Sequence, residues 1–255
     1  KKPIGVVAGI LPWNFPFFLI GRKAGAALIA GCTIVIKPSQ LTPENCTVFG
    51  EVVDKVGLPK GVINIVTGKG SVIGNEMAGS PKIDIVSVTG SVGAGESIMA
   101  AASKNITKVS LELGGKAPAI VCKDADLEKA AQWIVDSRIG NNGQICNNAD
   151  RVYVDKAVKK EFTDILVKKM EAVKVGDVCQ DHTVDMGPLV EARALESVTE
   201  KVERAINQGA KLLCGGHRVG TKGYFYAATV LDNCTQDMDI IHEETFGPVI
   251  PLIEI

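Results

Sequence analysis

The hydrophobic residues of the chain form short runs of strand length that alternate with longer amphipathic segments. The strand-like runs are 4–10, 33–37, 62–66, 83–88, 107–113, 118–122, 151–155, 210–214, 224–231 and 248–254. Between them, the spacing of apolar positions predicts helices over about 17–30, 43–56, 71–79, 94–103, 126–139, 156–174 and 190–208. Because this alternation is typical of βα units that build a mostly parallel sheet, we predict an α/β protein.

Local signals refine two of these helices. Thr42 followed by Pro43 has the composition of an N-cap before a proline at the first helical position, and Gly57 predicts the end of the same helix. In segment 156–174, apolar residues such as Phe162 recur at three- and four-residue steps. This spacing predicts one face packed on the core and a solvated face that carries the lysines.

The segment 113–118, LGGKAP, contains two glycines and a proline between two predicted strands. We therefore place a domain boundary here, with one domain over 1–114 and a second over 115–255. The chain stops within an apolar run, 249–255. We expect both domains to be parts of a larger fold.

Composition removes several classes of function. Among 255 residues, 28 basic and 29 acidic side chains are mixed along the chain and give a net charge of −1, so nucleic acid is not an expected partner. The longest apolar runs, such as 24–31, fall short of the roughly 20 residues that cross a bilayer. Pro3, Pro12 and Pro16 interrupt the apolar N-terminal segment, which does not have the pattern of a signal peptide. We expect a cytosolic protein.

One of the seven cysteines has an unusual setting. They are widely spaced, without a C-x-x-C pair or a histidine at metal-ligand spacing, so neither a disulfide framework nor a metal site is predicted. Most are expected to be small core residues. Cys146 instead lies in 141-NNGQICNNA-149, where polar neighbours would keep the sulfur accessible. A thiolate adds readily to a carbonyl carbon, so Cys146 is a candidate nucleophile, with a buried structural thiol as the alternative.

Two more side chains are candidates for chemistry. Glu112 lies between Leu111 and Leu113 just before paired glycines, so it is either a base whose pKa is raised by burial or a satisfied edge residue. Asn14 lies in 12-PWNFP-16, where two prolines stiffen a turn. Its amide could donate to an oxyanion or simply form the turn.

Two segments suggest a dinucleotide. In 86-VSVTGSVGAGE-96 a strand leads through a glycine-rich turn into a helix, which offers backbone N–H groups to a phosphate, although Gly90, Gly93 and Gly95 do not match G-x-G-x-x-G. Lys37 ends a strand before a proline. There it could reach a ribose or phosphate, or be a surface charge.

Taken together, these segments resemble the aldehyde dehydrogenase superfamily, NAD(P)-dependent enzymes with a catalytic cysteine. The motifs PWNFP, KPS, TGS, LELGGK, GQIC and EETFGPV occur in the family's order. The resemblance implies a Rossmann-type parallel-sheet NAD(P)-binding domain over 1–114 and an α/β catalytic domain over 115–255, both incomplete. It also implies that full-length relatives form homo-oligomers.

The resemblance assigns four catalytic residues. It implies Cys146 as nucleophile, Glu112 as the base that activates water, and Asn14 with the Cys146 backbone N–H as the oxyanion hole. Lys23 is implied in proton transfer. The implied reaction forms a thiohemiacetal and then a thioester on the cysteine, with hydride transfer to NAD(P)+ and release of a carboxylic acid.

It also assigns the cofactor site. Lys37 is implied at the adenosine ribose, Glu244 at the nicotinamide ribose and Phe246 beside the nicotinamide. The other residues implied in cofactor binding are Ser39, Gln40, Gly90, Ser91, Gly95 and Leu113, with Gly90, Ser91 and Gly95 at the pyrophosphate region. Many NAD-preferring relatives have Glu where this chain has Gln40, so both NAD and NADP remain open.

The substrate and the reaction class keep alternatives. Segments 105–121 and 136–154 are most similar to the branch that acts on lactaldehyde and glycolaldehyde, with succinate semialdehyde as the nearest alternative. A thiol hydrolase would need a histidine beside the cysteine, but the three histidines lie in turn or pre-strand contexts: His182, His217 and His242. A CoA-acylating relative would usually lack Glu112. The remaining alternative is an inactive nucleotide-binding fragment.

Overall fold

The computed structural model describes residues 2–255. These divide after Gly114 into two compact units, 2–114 and 115–255. Each unit is built on its own five-stranded sheet. Strands and helices alternate along the chain, which confirms the predicted α/β class. No helix within the described residues is long and apolar enough to span a membrane.

The described residues of the first unit form five strands and four α-helices. They are β1 (Val6–Ile10), α1 (Pro16–Ile29), β2 (Thr33–Lys37), α2 (Glu44–Val56), β3 (Ile63–Ile65), α3 (Asn75–Ala78), β4 (Ile85–Thr89), α4 (Val92–Ala102) and β5 (Lys108–Glu112). A π-helical turn, Gly70–Gly74, precedes α3.

All strands of the first sheet are parallel, in the order β3-β2-β1-β4-β5. The chain therefore runs outward from β1 to β3 and then crosses to the other side of β1 to form β4. The carboxyl ends of β1 and β4 lie side by side where the strand order reverses, the position at which open α/β sheets bind ligands. Alternate residues such as Ile34 and Val35 pack into clusters on opposite faces of the sheet. Burial on both faces explains why these strands read as continuous apolar runs.

The second unit also contains five strands and four helices. They are β6 (Pro118–Val121), α5 (Leu127–Ile139), β7 (Arg151–Val154), α6 (Lys159–Glu171), α7 (Ala192–Asn207), β8 (Lys211–Cys214), β9 (Thr229–Asp232), α8 (Asp239–His242) and β10 (Val249–Glu254). The sheet order is β6-β7-β10-β9-β8, parallel except for the antiparallel pair β8 and β9. Helices α5 and α6 contribute to one core cluster, and α7 and α8 to the other.

Several elements differ from the predicted ones. Only Asn75–Ala78 of the predicted helix 71–79 is α-helical, the strand expected over 224–231 begins at Thr229, and the short helix α8 was not predicted. The predicted cap of α2 is wrong by one residue. Helix α2 begins at Glu44, and the Thr42 hydroxyl donates to the Trp13 carbonyl 3.3 Å away instead of capping the helix. A long-range partner thus replaced the local one that the sequence suggested.

Candidate functional site

The cysteine loop, residues 140–148, follows α5 and has an unusual backbone. Asn141, Asn142 and Gly143 have positive φ angles of 46°, 57° and 73°. Asparagine tolerates this left-handed conformation better than most residues. Gly143 is required for a second reason, because a Cβ atom there would lie 2.1 Å from the carbonyl oxygen of Gly247. The NNG sequence therefore lets the cysteine loop lie directly against the segment around Gly247.

Three of the five Asn and Gln side chains in the loop are buried and hold it in place: Asn142, Gln144 and Asn148. Gln144 is 2% exposed, and its side chain accepts from the Val190 N–H at 3.0 Å and donates to the Asn141 carbonyl at 2.9 Å. The Asn142 amide donates to the Pro188 carbonyl at 2.6 Å. The sequence suggested that these polar neighbours keep the sulfur accessible. The structure shows instead that the buried side chains among them hold the loop in place through hydrogen bonds, while Cys146 itself is exposed.

The seven cysteines fall into two environments. Burial raises the pKa of the Cys46, Cys214 and Cys234 thiols to about 11, so they remain protonated at neutral pH. This agrees with the expectation of core cysteines. Cys122 and Cys179 depart from it, because both are exposed like Cys146. Exposure alone therefore does not single out Cys146. No group of three or more potential metal-binding side chains occurs within residues 2–255.

Three charged residues with buried side chains, Lys116, Arg138 and Asp150, form an ion cluster next to the cysteine loop. The Asp150 carboxylate lies 3.0 Å from Lys116 Nζ and 2.6 Å from Arg138 Nη2. Arg138 also donates to the Asn148 side chain at 2.5 Å, and Asn148 donates to the Gly143 carbonyl at 2.8 Å. Burial lowers the pKa of Lys116 to about 8, and Asp150 opposes that shift. The ion cluster thus connects to the backbone of the cysteine loop.

The same cluster binds the EETFG segment, residues 243–247. The Thr245 N–H donates to Asp150 Oδ2 at 3.1 Å, and the Thr245 carbonyl accepts from Arg138 at 2.5 Å. The Thr245 hydroxyl accepts from Lys116 at 3.2 Å. All three polar groups of this buried threonine are therefore satisfied by one cluster.

Glu244 and Phe246 flank Thr245 and are half-buried. The Glu244 carboxylate accepts from the Gly115 N–H at 3.5 Å. The backbone carbonyl of Glu244 accepts from the Lys201 ammonium. Burial raises the pKa of the Glu244 carboxyl, while the Gly115 N–H and nearby lysines oppose that shift. The Glu244 carboxylate and the Phe246 ring therefore lie on either side of Thr245, whose backbone is held by the ion cluster.

In the first unit, Asn14 lies in the turn between β1 and α1, at the carboxyl edge of the sheet. Pro16 is the first residue of α1, where a missing N–H costs nothing. The hydrogen bond from Thr42 to the Trp13 carbonyl ties this turn to the start of α2. The half-buried Asn14 thus sits on a turn restrained from both sides.

Lys23 is a buried amine on α1. It is 8% exposed and donates to the Ser87 hydroxyl of β4 at 2.8 Å. Burial lowers its pKa to about 8, and the negative charge of Glu112 opposes part of that shift. The amine can therefore exist in both protonation states near neutral pH.

Glu112 is the last residue of the edge strand β5, and its side chain is exposed. The burial considered for this carboxyl in the sequence analysis is not found. Its backbone carbonyl accepts from the Gly90 N–H at 3.0 Å. The LELGGK and TGS motifs therefore meet at the carboxyl edge of the first sheet.

The end of β2 and the residues after it form a second part of this edge. Lys37 is 2% exposed, and its ammonium donates to the Pro38 carbonyl at 2.7 Å. Burial lowers the pKa of Lys37. Ser39 is half-buried and accepts from the Leu41 N–H at 3.2 Å, whereas Gln40 is exposed.

The turn after β4 combines capping and packing. The Ser91 side chain caps α4 by accepting from the Ala94 N–H at 3.2 Å. Gly95 is buried, and a Cβ atom there would come within 2.8 Å of the Leu113 side chain. Gly95 thus allows α4 to pack on Leu113, a role that the glycine spacing did not reveal.

Sequence reasoning missed the ion cluster. Its only signal was Arg138 on the predicted helix 126–139 and Asp150 directly before a strand, both next to the cysteine loop. Nothing in the spacing shows that the two meet Lys116, because the contacts join segments far apart in the chain.

The comparisons with known proteins agree with one another. The model of the Aldehyde dehydrogenase family matches residues 1–255. The chain is 56% identical over 253 residues to the lactaldehyde dehydrogenase of Escherichia coli (strain K12), which covers 99% of this chain and 53% of that protein. It is 42% identical over 252 residues to the NADP(+) succinate-semialdehyde dehydrogenase of the same strain, covering 99% of this chain and 52% of that protein.

Two solved structures show the same fold. The crystal structure of Escherichia coli lactaldehyde dehydrogenase matches with a TM-score of 0.98 at 56% identity, covering 100% of this chain and 53% of that chain. The structure of 3,6-anhydro-L-galactose dehydrogenase in complex with NAP matches with a TM-score of 0.96 at 48% identity, covering 100% and 54%. The chain therefore spans about half the length of the relatives it matches. With a family match over its whole length and a shared fold, this chain belongs to the aldehyde dehydrogenase family.

Proposed function

We propose that the protein carrying this chain oxidises an aldehyde to a carboxylic acid with NAD or NADP, using Cys146 as the nucleophile. The observation that carries the proposal is the cysteine loop. Its one thiol is exposed, while the buried side chains of Asn142 before it and Asn148 after it are held by hydrogen bonds. A fixed and accessible nucleophile is what addition to a carbonyl requires.

The first unit fits a dinucleotide. The buried Lys37 ammonium has a carbonyl partner but no carboxylate partner within the described residues, so its remaining N–H groups suit ribose hydroxyl or phosphate oxygens. Ser91 is the N-cap of α4 and follows the carboxyl end of β4. Strand β4 lies next to β1, where the strand order reverses. Phosphates bind at such positions. We assign Lys37, Ser39, Gln40, Gly90, Ser91, Gly95 and Leu113 to this site, and Glu244 and Phe246 to the nicotinamide end.

We assign the chemical steps to residues of this chain. The Cys146 thiolate adds to the aldehyde carbon, and the Asn14 amide and the Cys146 backbone N–H donate to the resulting oxyanion. When bound, the oxidised nicotinamide supplies the acceptor for the hydride that leaves the thiohemiacetal. Glu112 then removes a proton from the water that hydrolyses the Cys146 thioester. Lys23, with its pKa of about 8, serves proton transfer.

For the substrate, we propose a short hydroxyaldehyde such as lactaldehyde or glycolaldehyde. The 56% identity to a lactaldehyde dehydrogenase supports this choice. Succinate semialdehyde is the second candidate, because a relative that is 42% identical is named for it. A carboxylate at the far end of the substrate separates the two candidates chemically.

The test is the absorbance of reduced nicotinamide with purified full-length protein, both cofactors and a panel of lactaldehyde, glycolaldehyde, succinate semialdehyde and propanal. We expect the hydroxyaldehydes to give the highest kcat/KM. Highest activity with succinate semialdehyde would replace the substrate assignment but retain the reaction. Cofactor binding without reduction by any aldehyde would contradict the proposed reaction and support a nucleotide-binding role.

A further inference from the structure

We infer that Asp150 is a positioning residue, which holds the cysteine loop and the EETFG segment in one arrangement through two separate arms. The inference rests on the proposed function, in which one of these segments carries the nucleophile and the other contacts the cofactor. Asp150 itself is buried and touches neither reactant in this assignment.

The first arm leads to the cysteine. Asp150 pairs with Arg138, Arg138 donates to Asn148, and Asn148 donates to the Gly143 carbonyl. Asn148 and Gly143 lie two residues after and three residues before Cys146. The arm therefore closes the chain on both sides of the thiol and limits where the sulfur can move.

The second arm leads to the cofactor segment. Asp150, Arg138 and Lys116 bind the N–H, the carbonyl and the hydroxyl of Thr245. With all three polar groups held, the backbone at Thr245 has one position. The directions of its neighbours Glu244 and Phe246 follow from that position.

The chemistry of the cluster supports a positioning role. One carboxylate faces two buried cations, an arrangement that gains little stability over apolar packing because all three charges lose hydration. The hydrogen bonds of the cluster reach the cysteine loop through Asn148 and the EETFG segment through Thr245, rather than a hydrophobic cluster. A purely stabilising device would not need to reach the residues that flank Cys146 and Glu244.

The two arms can be cut separately. Asn148→Ala removes the link from Arg138 to Gly143 but leaves Thr245 bound. Thr245→Val removes only the hydroxyl that Lys116 binds, at nearly constant volume. Asp150→Asn weakens both arms. Asp232→Asn is the matched control, because it breaks the half-buried ion pair with Lys159 in the same unit without touching either loop.

Two measurements on the full-length protein report on the two arms, one on the cysteine loop and one on the EETFG segment. The first is the rate of Cys146 alkylation by iodoacetamide, measured by peptide mass spectrometry with the exposed Cys122 and Cys179 as internal references. The second is the Kd for reduced nicotinamide cofactor, measured by its fluorescence. Thermal midpoints report any general loss of stability. Alkylation needs neither aldehyde nor cofactor, so the first arm is tested even where the proposed reaction fails.

We expect Asn148→Ala to change the Cys146 alkylation rate about tenfold with an unchanged cofactor Kd, since small displacements of a reacting group have large kinetic effects. Thr245→Val should weaken cofactor binding with an unchanged alkylation rate. Asp150→Asn should change both, and Asp232→Asn neither. The inference is overturned if both readouts stay within twofold of the parent in the arm variants, or if they simply follow the thermal midpoint in all four variants. Should Asp150→Asn fail to fold, the two arm variants decide the question.

Discussion

Lys23 shows how the fold changes the chemistry of a single residue. In sequence it is one lysine among many, whereas in the structure it is a buried amine with one hydroxyl partner and a pKa of about 8. The family resemblance implied a role in proton transfer, but the burial of Lys23 could not be predicted from a helix pattern alone. The packing of α1 on β1 and β2, with the hydrogen bond from Lys23 to Ser87 of β4, determines it.

Titration of Lys23 gives a prediction on stability. Its pKa is lower in the folded protein than the ordinary value of 10.5, so the unfolded chain binds more protons between pH 8 and 10.5. The free energy of unfolding should therefore rise with pH in that range, by about 3 kcal/mol at most. Lys23→Met should remove this gain. Urea unfolding of both proteins at pH 7.5 and 9.5 measures the difference.

Lys116 titrates near the same pH but is present in both proteins, so its contribution cancels. Equal pH dependence in parent and Lys23→Met would contradict the assignment of a depressed pKa to Lys23. Turnover of the full-length variant should also lose the part of its pH profile centred near pH 8.

Gln40 gives a prediction on cofactor choice. The side chain is exposed after β2, close in sequence to the buried Lys37. A carboxylate at this position would repel a 2′-phosphate, so Gln40→Glu should lower kcat/KM for NADP by about tenfold relative to NAD, a loss of roughly 1.4 kcal/mol. Gln40→Asn is the neutral control. An unchanged preference in the glutamate variant would place the ribose away from Gln40.

At the scale of elements, the strands and long helices followed from the sequence because each is buried on a predictable side. Strand β2, 33–37, was predicted at its observed bounds, and α5 within one residue. The errors have one distant and one local cause. Thr42 bonds to Trp13 rather than to its own helix, and α3 is shortened by a π-helical turn.

The cysteine loop shows the same limit. Its composition marked it as a candidate site, but the reason for its shape is the contact between Gly143 and Gly247, more than 100 residues apart. No pattern in the sequence indicated a role for Asp150 either. Lys116, Arg138 and Asp150 come together beside the cysteine loop and the EETFG segment only in the folded protein.

The contact at Gly143 predicts the effect of one added carbon atom. Gly143→Ala places a Cβ atom 2.1 Å from the Gly247 carbonyl oxygen, so the loop must shift. Gly220→Ala is the control, because Gly220 has a similar φ of 70° but open space around it. We expect Gly220→Ala to cost about 1 kcal/mol from backbone strain alone. Gly143→Ala should cost more and also lower turnover at least tenfold, as measured by thermal unfolding and steady-state kinetics. Equal effects of the two would contradict a close contact between the loops.

At the scale of the whole molecule, the two units contribute different parts of the proposed chemistry. The first presents Lys37, the Ser91 turn, Asn14 and Glu112 along the carboxyl edge of its sheet, and Lys23 on α1 beside the middle of β4. The second presents the cysteine loop and the EETFG segment on one ion cluster. Motif order along the chain was enough to predict the family, which the comparisons confirm.

The central claim is that a thioester forms on Cys146 during turnover. The most direct measurement is mass spectrometry of the full-length Glu112→Gln variant, quenched in acid soon after mixing with lactaldehyde and oxidised cofactor. Slow hydrolysis in this variant should let the acyl enzyme accumulate, after a normal first burst of reduced cofactor. We predict a mass increase equal to one lactoyl group on the peptide that contains Cys146, absent in Cys146→Ala. An acyl group on Cys122 or Cys179, or turnover by Cys146→Ala at the parent rate, would contradict the account.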